Sequence, residues 1–314
     1  MVTTCVAAST LTSDGFLELT NKEKPLESTR SFVPTFIIAQ LNTQAVSTSP
    51  SAHTEAGIEV ESAHWDKLDE GLYLGEFYPE QKSAITDYPI IILKISPQHY
   101  SFKLMSASEN GGKTRTPKQW CEEFDMLAAI NASMYLKDHN LKSTGYMRNF
   151  THINNPDVNN SFGAFMVFNP TNTLLPQVQI IDRYKQDWRE LTKKYNTVIQ
   201  NYRMISLDRE NVWKQTNKAH RTTSVGVDND GNVLFIFSRS PYATHDFNNI
   251  LLTLPINIKN AMYVEGGPEA NLYITNQWEE IEKIGRDETE FSKHENPKSG
   301  WKVPNVIGIV KRRK

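Results

Sequence analysis

Cysteine is nearly absent: Cys5 and Cys121 alone occur in 314 residues, far apart and in no CxxC or Cys/His spacing. That argues against a disulfide framework or a structural zinc site and leaves the redox compartment open. Long apolar stretches are missing too, since no run reaches the ~18 apolar residues that a membrane-crossing helix needs. Charge of either sign is not in excess. With 34 basic and 36 acidic residues the net charge is −2, which disfavours a nucleic-acid binder working by bulk electrostatics. The closing Lys311-Arg312-Arg313-Lys314 is too short to alter that balance and reads as a solvated tail. No internal repeat is visible.

Sustained periodicity is also lacking over residues 1–64. This stretch is rich in Ser, Thr and Ala and carries no charge from Ser31 through His53, so it reads as a leader or linker. Its best targeting segment is Arg30 followed by 32–39. Pro34 and Thr35 interrupt that apolar run and it lies far from Met1, so it would be a signal only behind a wrongly assigned start.

What is present is ample core material, 39% hydrophobic and 10% aromatic, enough for one large domain over 65–314. Strand signals at 71–77, 89–95 and 100–105 predict an opening three-stranded sheet. Thr116 and Pro117 predict a helix start, with Trp120 and Phe124 on one face, and 127–130 runs as a strand into Asn131. Further strands are expected at 162–168, 197–200, 203–207 and 303–310. The spacing of Tyr184, Trp188, Leu191 and Tyr195 predicts a helix over 182–195. A hairpin is expected at 221–227 and 233–238, turning at Asp230-Gly231. After it, Thr244 caps a helix whose face is Phe247, Ile250, Leu251 and Leu254. The elements describe an α+β fold: mixed or largely antiparallel sheets with flanking helices.

Chemistry concentrates at 261–274. Alternation through Met262 and Val264 ends at Glu265, Gly266 and Gly267 break the strand, and Glu269 adds a second carboxylate. Two glycines beside a carboxylate let backbone N–H groups approach a ligand, although Gly-Gly-Pro is also ordinary turn chemistry. Arg239 precedes the Thr244 helix, whose free N–H groups favour a bound phosphate or carboxylate unless Asp246 satisfies them itself. His245 is either a general acid or a surface group. Asn131 at a strand end is either a turn residue or a fixed amide facing a cleft.

Taken together, 129–135, Gly145-Tyr146-Met147, 200–204, Arg221 with 224–228, 230–238 and 263–268 resemble the phosphodiester glycosidase family, to which the lysosomal uncovering enzyme belongs. The resemblance covers roughly 65–311 and points to a divergent bacterial branch: Glu265 stands where the family has Asp, and Asn201-Tyr202-Arg203 replaces a Ser-Gly-Pro segment. It implies hydrolysis of a glycosyl-1-phosphodiester at the anomeric C–O bond, through an oxocarbenium-like transition state with phosphate as leaving group. On that reading Glu265, Asn131, Glu269, His245 and Asp246 are the catalytic set. Arg203, Arg221, Arg239, Gln200, Gly266, Gly267 and Tyr135 bind the substrate, a carbohydrate phosphodiester. The resemblance implies no certain cofactor. Asp228, Asp246 and Glu265 with carbonyls could hold a divalent cation, but no spacing demands one. The family also implies an extracytoplasmic, envelope setting. Two other functions fit the residues: a silent sugar- or polymer-binding module, and a metal-dependent phosphodiesterase cutting P–O.

Overall fold

The structure, a computed structural model, describes residues 64–136, 141–276, 279–285 and 300–313. The leader or linker expected at 1–64 lies outside the described residues except for His64.

The described residues form three antiparallel sheets. The first has seven strands in the order Asp66–Asp69, Leu72–Phe77, Ile90–Ile95, Val233–Ala243, Ala219–Asp228, Ile258–Gly266 and Arg203–Ile205. The second runs Glu280–Ile284, Asn271–Thr275, Ala128–Asn131, Asn305–Lys311, Tyr100–Ser106. The third runs His152–Asn155, Met147–Asn149, Tyr195–Asn201, Ala164–Pro170, Val178–Asp182. One buried cluster joins all three, with Leu93, Phe235 and Met262 from the first sheet, Ile130 and Ile307 from the second, and Met166 and Ile199 from the third.

Each sheet carries one helix on its other face. Helix α1 (Pro117–Phe124) starts in a reciprocal capping box between Thr116 and Gln119, packs Trp120 on the second sheet and stops at Asp125 in the left-handed conformation. Helix α2 (Trp188–Lys193) lays Trp188 flat on Phe165 of the third sheet, ring centroids 4.9 Å apart. Helix α3 (Thr244–Thr253) buries Phe247, Ile250 and Leu251 against the first. The α+β class is as the sequence indicates.

Two local expectations change. The 100–105 strand does not join the opening sheet, because both edges of Ile90–Ile95 are taken by Leu72–Phe77 and Val233–Ala243. The chain turns at 96–99 and delivers Tyr100–Ser106 to Asn305–Lys311 instead. The 182–195 helix shrinks to α2 because its ends are captured as strands: Asp182 pairs with Ala164 and Tyr195 with Pro170. Tyr184 is left exposed. Strand pairing there outweighs a helical period. Among the described residues, no helix is long and apolar enough to cross a membrane.

The 221–238 hairpin is present and longer than expected, Ala219–Asp228 with Val233–Ala243. Asp228 closes its turn by accepting the N–H groups of Asp230 and Asn232, and Gly231 takes φ +83°.

Candidate active site

Asn131 and Glu265 end strands of different sheets, and a single hydroxyl ties them together. Thr223 Oγ1 donates to Asn131 Oδ1 at 3.2 Å and to the Glu265 carbonyl at 3.2 Å. Asn131 is almost wholly enclosed. Its Oδ1 also accepts the Asn271 N–H (2.8 Å) and its Nδ2 donates to the Glu269 carbonyl (2.9 Å). The Asn271 amide holds that same carbonyl at 2.9 Å. The amide expected to face a ligand is thus spent inside the protein, fixing the Gly267–Glu269 turn that carries the second carboxylate.

The strand carrying Glu265 is bulged at the site. Thr223 lies opposite Glu265 and Ser224 opposite Tyr263, so one residue of the strand, Val264, is extra. Such bulges re-aim side chains and are frequent beside active sites. Val264 packs into the central core while Tyr263 joins the outer cluster under α3.

Glu265 and Glu269 are both buried, at 6% and 8% exposure. Glu265 Oε1 accepts the Gly266 N–H at 3.0 Å. Tyr135 bridges toward them: its phenol hydrogen-bonds the Glu269 carboxylate and the Trp301 indole, and its pKa is pushed well up by burial first, then by Glu269 and Glu265. Tyr263 is raised likewise by burial, then Glu265, Tyr202 and Glu269. Both phenols therefore stay neutral O–H donors at physiological pH, beside two carboxylates.

The two glycines differ in purpose. Gly267 takes φ +66°, with open space where a side chain would stand. Gly266 has ordinary extended backbone (φ −143°), but a Cβ there would come within 2.0 Å of Tyr263 Oη. Its N–H serves Glu265, and its missing side chain makes room for the phenol. Gly266→Ala is expected to cost about 1–3 kcal/mol from overpacking. Tyr263→Phe, which removes the clashing oxygen, is expected to recover a good part of that in the double variant. Denaturant midpoints of the four proteins decide it, and simple additivity would place the conflict elsewhere.

An aromatic wall runs beside this cluster: Phe162, Tyr202, Trp213, Tyr263 and His220 follow one another with centroids 4.4, 5.3, 6.1 and 6.4 Å apart. His220 Nε2 lies 3.3 Å from Thr244 Oγ1, and burial lowers its pKa, which favours a neutral ring. Asn201-Tyr202-Arg203 forms a strap along the Glu265 strand. Asn201 Nδ2 donates to the Val264 carbonyl, and Tyr263 N–H donates to the Tyr202 carbonyl.

The cationic residues do not form the set expected from the sequence. Arg203 is held by both oxygens of Asp182 at 2.8 and 2.9 Å and lies over the Tyr184 ring, so the structure gives it a tie within the fold. Arg221 sits where the Ala219–Asp228 register slips, its carbonyl 3.2 Å from the position of a Gly266 Cβ. Arg239 follows Ser238, the neighbour of Thr222, and its guanidinium lies 4.8 Å from the Tyr88 ring centre. Thr222 in turn pairs with Gly266, so Arg221 and Arg239 stand at the Glu265 end of the sheet.

Helix α3 begins at the same end, but its N-cap is Ala243, with no side-chain cap, and Thr244 is its first helical residue. The expected Thr244 cap fails because Thr244 already has helical backbone and turns its hydroxyl toward His220. His245 and Asp246 face each other across 3.3 Å, and Gln215 donates to Asp246 at 3.3 Å. Gln200 is wholly buried and fully engaged, accepting from Tyr146 and Asn159 and donating to the carbonyls of Asn159 and Phe162.

Asp228, Asp246 and Glu265 do not converge. Asp228 is five residues along its strand from Thr223, roughly 17 Å at strand rise, and its carboxylate closes the hairpin turn. Among the described residues, no three His, Cys, Asp or Glu side chains come together as a metal's ligand set. Sequence reasoning missed Thr223, Asn271, His220, Tyr263, Trp213 and Trp301 as parts of this cluster. Only Tyr263, two residues before Glu265 on an alternating strand, carried a readable signal.

Fold and site define an antiparallel α+β protein with two buried carboxylates beside a run of aromatic rings, where strand ends of two sheets meet. The phosphodiester glycosidase family profile matches residues 124–310. The chain belongs to that family. No curated protein matches it. Two of the solved structures that match share the fold as follows. One is a hypothetical protein from Synechocystis, 13% identical with a TM-score of 0.55 over 81% of this chain. The other is the catalytic domain of zebrafish N-acetylglucosamine-1-phosphodiester alpha-N-acetylglucosaminidase, auto-inhibited by its pro-peptide, 13% identical with a TM-score of 0.52 over 80% of this chain and 87% of that one. The chain spans 64% of the Synechocystis protein's length.

Proposed function

We propose that the chain hydrolyses a glycosyl-1-phosphodiester at the anomeric C–O bond, on a glycopolymer outside the cytoplasm. The observation that carries this reading is the pair of buried carboxylates, Glu265 and Glu269, set against neutral phenols beside the aromatic wall. Water adds to the anomeric carbon, giving its proton to Glu265, as the C–O bond breaks and the phosphate departs with its electron pair. A phosphate leaves with little proton assistance, so one carboxylate to steady the developing cation suffices where ordinary glycosidases use a matched acid and base. Glu269 orders Tyr135 for a sugar or phosphate oxygen. Arg221 and Arg239, with the start of α3, supply positive potential for the leaving group. Asn131 acts at one remove, by holding the Glu269 turn.

The test is product identity on a synthetic sugar-1-phosphodiester. Free reducing sugar plus phosphomonoester is expected. Sugar phosphate would instead mean P–O cleavage, and binding without turnover would mean a sugar- or polymer-binding module.

A further inference from the structure

Lys311, Arg312 and Arg313 are exposed, and the first two are tied to the fold. Lys311 is the last residue of its strand and pairs with Asp69 at 2.7 Å. Arg312 Nε donates to the Tyr100 carbonyl (3.3 Å) and its Nη2 to Gln177 Oε1 (2.5 Å). With Lys103 and Arg313 they line a groove of about 920 Å³, whose carboxylates are Asp69 and Asp125.

Charge in this groove is not balanced. Asp69 is already engaged: Lys311, the Tyr100 hydroxyl and the Glu70 N–H all donate to it. Arg312 is oriented by two neutral oxygens, which fix the guanidinium without cancelling its charge. Among the described residues, Lys103 Nζ reaches only the Phe124 carbonyl, at 3.5 Å. Asp125 therefore stands against Lys103, Arg312 and Arg313. In a chain of net charge −2 this is a local concentration of positive potential.

The groove's extent favours a chain over a single ion. Lys103 pairs with Gly308 and Tyr100 with Lys311, so Lys103 and Lys311 lie three ladder positions apart, roughly 10 Å at strand rise, and on opposite faces of the sheet, which spreads the basic groups around the sheet's end instead of gathering them at one point. A recessed, concave site of this kind admits a strand of polymer, whereas a flat bilayer would not reach its floor. It is also separate from the Glu265 site. Leu127, just before the Ala128–Asn131 strand, lines the groove, and Asn131, at the end of that strand, belongs to the site, roughly 13 Å away.

We propose that this groove is a second, non-catalytic binding site for a polyanion built of repeated phosphodiester groups. It would hold a distant part of the polymer and raise the effective concentration of its reactive end at the Glu265 site. The polyanion preference follows from the groove alone; the identification of the polymer with the substrate rests on the proposed function.

The experiment uses the full chain and inorganic polyphosphate of some tens of units as probe, with orthophosphate and single-stranded DNA of matched charge as comparisons. Polyphosphate is expected to bind the wild type and Glu265→Gln alike, more weakly as salt rises. Lys103→Glu with Arg313→Glu is expected to lose about tenfold or more in affinity, about 1.4 kcal/mol, while hydrolysing a small glycosyl phosphodiester at the wild-type rate. The single Lys103→Ala change is expected to give a smaller loss in the same direction and guards against misfolding of the double variant. Binding unchanged in both groove variants, orthophosphate binding as tightly as the polymer, or no binding of the single-stranded DNA, itself a phosphodiester polyanion, would each overturn the proposal. Loss of binding in the groove variants with no hydrolysis by any form would uphold the groove and refute the proposed function.

Discussion

Glu265→Gln is expected to lower kcat/KM by about two to four orders of magnitude, the usual range for removal of an acid–base group, with the fold intact. Glutamine keeps the length and shape of the side chain, and its amide oxygen can still accept the Gly266 N–H that Glu265 Oε1 accepts at 3.0 Å. What it lacks is the negative charge opposite a developing oxocarbenium ion and the ability to take a proton from water. The side chain is only 6% exposed, so water screens little of that charge. Steady-state kinetics on a small glycosyl phosphodiester, with a denaturation curve as fold control, measures the effect. A loss confined to KM would make Glu265 a binding group and not a catalytic one. Full activity in a well-folded variant would leave Glu265 as a buried turn carboxylate.

Asn131→Ala is expected to destabilise the fold by about 2–4 kcal/mol, through an orphaned buried N–H and the small cavity left behind. The three bonds of Asn131 do not count equally. Thr223 keeps the Glu265 carbonyl as acceptor, and the Glu269 carbonyl keeps the Asn271 amide. The Asn271 N–H, however, loses the acceptor that Asn131 Oδ1 gives it at 2.8 Å. Since the same amide positions the Gly267–Glu269 turn, activity is expected to fall as well, under conditions where the variant is still folded. Urea denaturation gives the stability change. Unchanged stability would show that the two sheet ends are held together by something other than this amide.

The fold was legible wherever a strand is both apolar and bounded by turn residues. Asp230-Gly231 and the alternation on both sides located the long hairpin, and Thr116-Pro117 located α1. The sequence misled where an element's fate depends on a distant strand. The 182–195 stretch has a genuine helical period, but Asp182 and Tyr195 each find a strand to pair with, and no local pattern encodes those pairings. Tyr100–Ser106 likewise follows its hairpin-like turn into another sheet, because both edges of Ile90–Ile95 were already occupied.

The site divides in the same way. Glu265 and Glu269 were marked by the glycines and proline around them, which is local information. That Asn131 would be consumed by Thr223, Asn271 and the Glu269 carbonyl was not readable, since it needs residues 92, 140 and 138 positions away in sequence. Arg203 read as an anion ligand only until its neighbour across the sheets, Asp182, was placed. Gly266 read as an opening for a ligand and proved to be an opening for Tyr263.

The central claim is that the bond broken lies between the anomeric carbon and oxygen. Turnover of a glycosyl-1-phosphodiester in water enriched in heavy oxygen tests it most directly, with mass spectrometry of both products. The account predicts label in the anomeric hydroxyl of the released sugar and none in the phosphomonoester. Label in the phosphate, with unlabelled sugar, would mean attack at phosphorus and would contradict it.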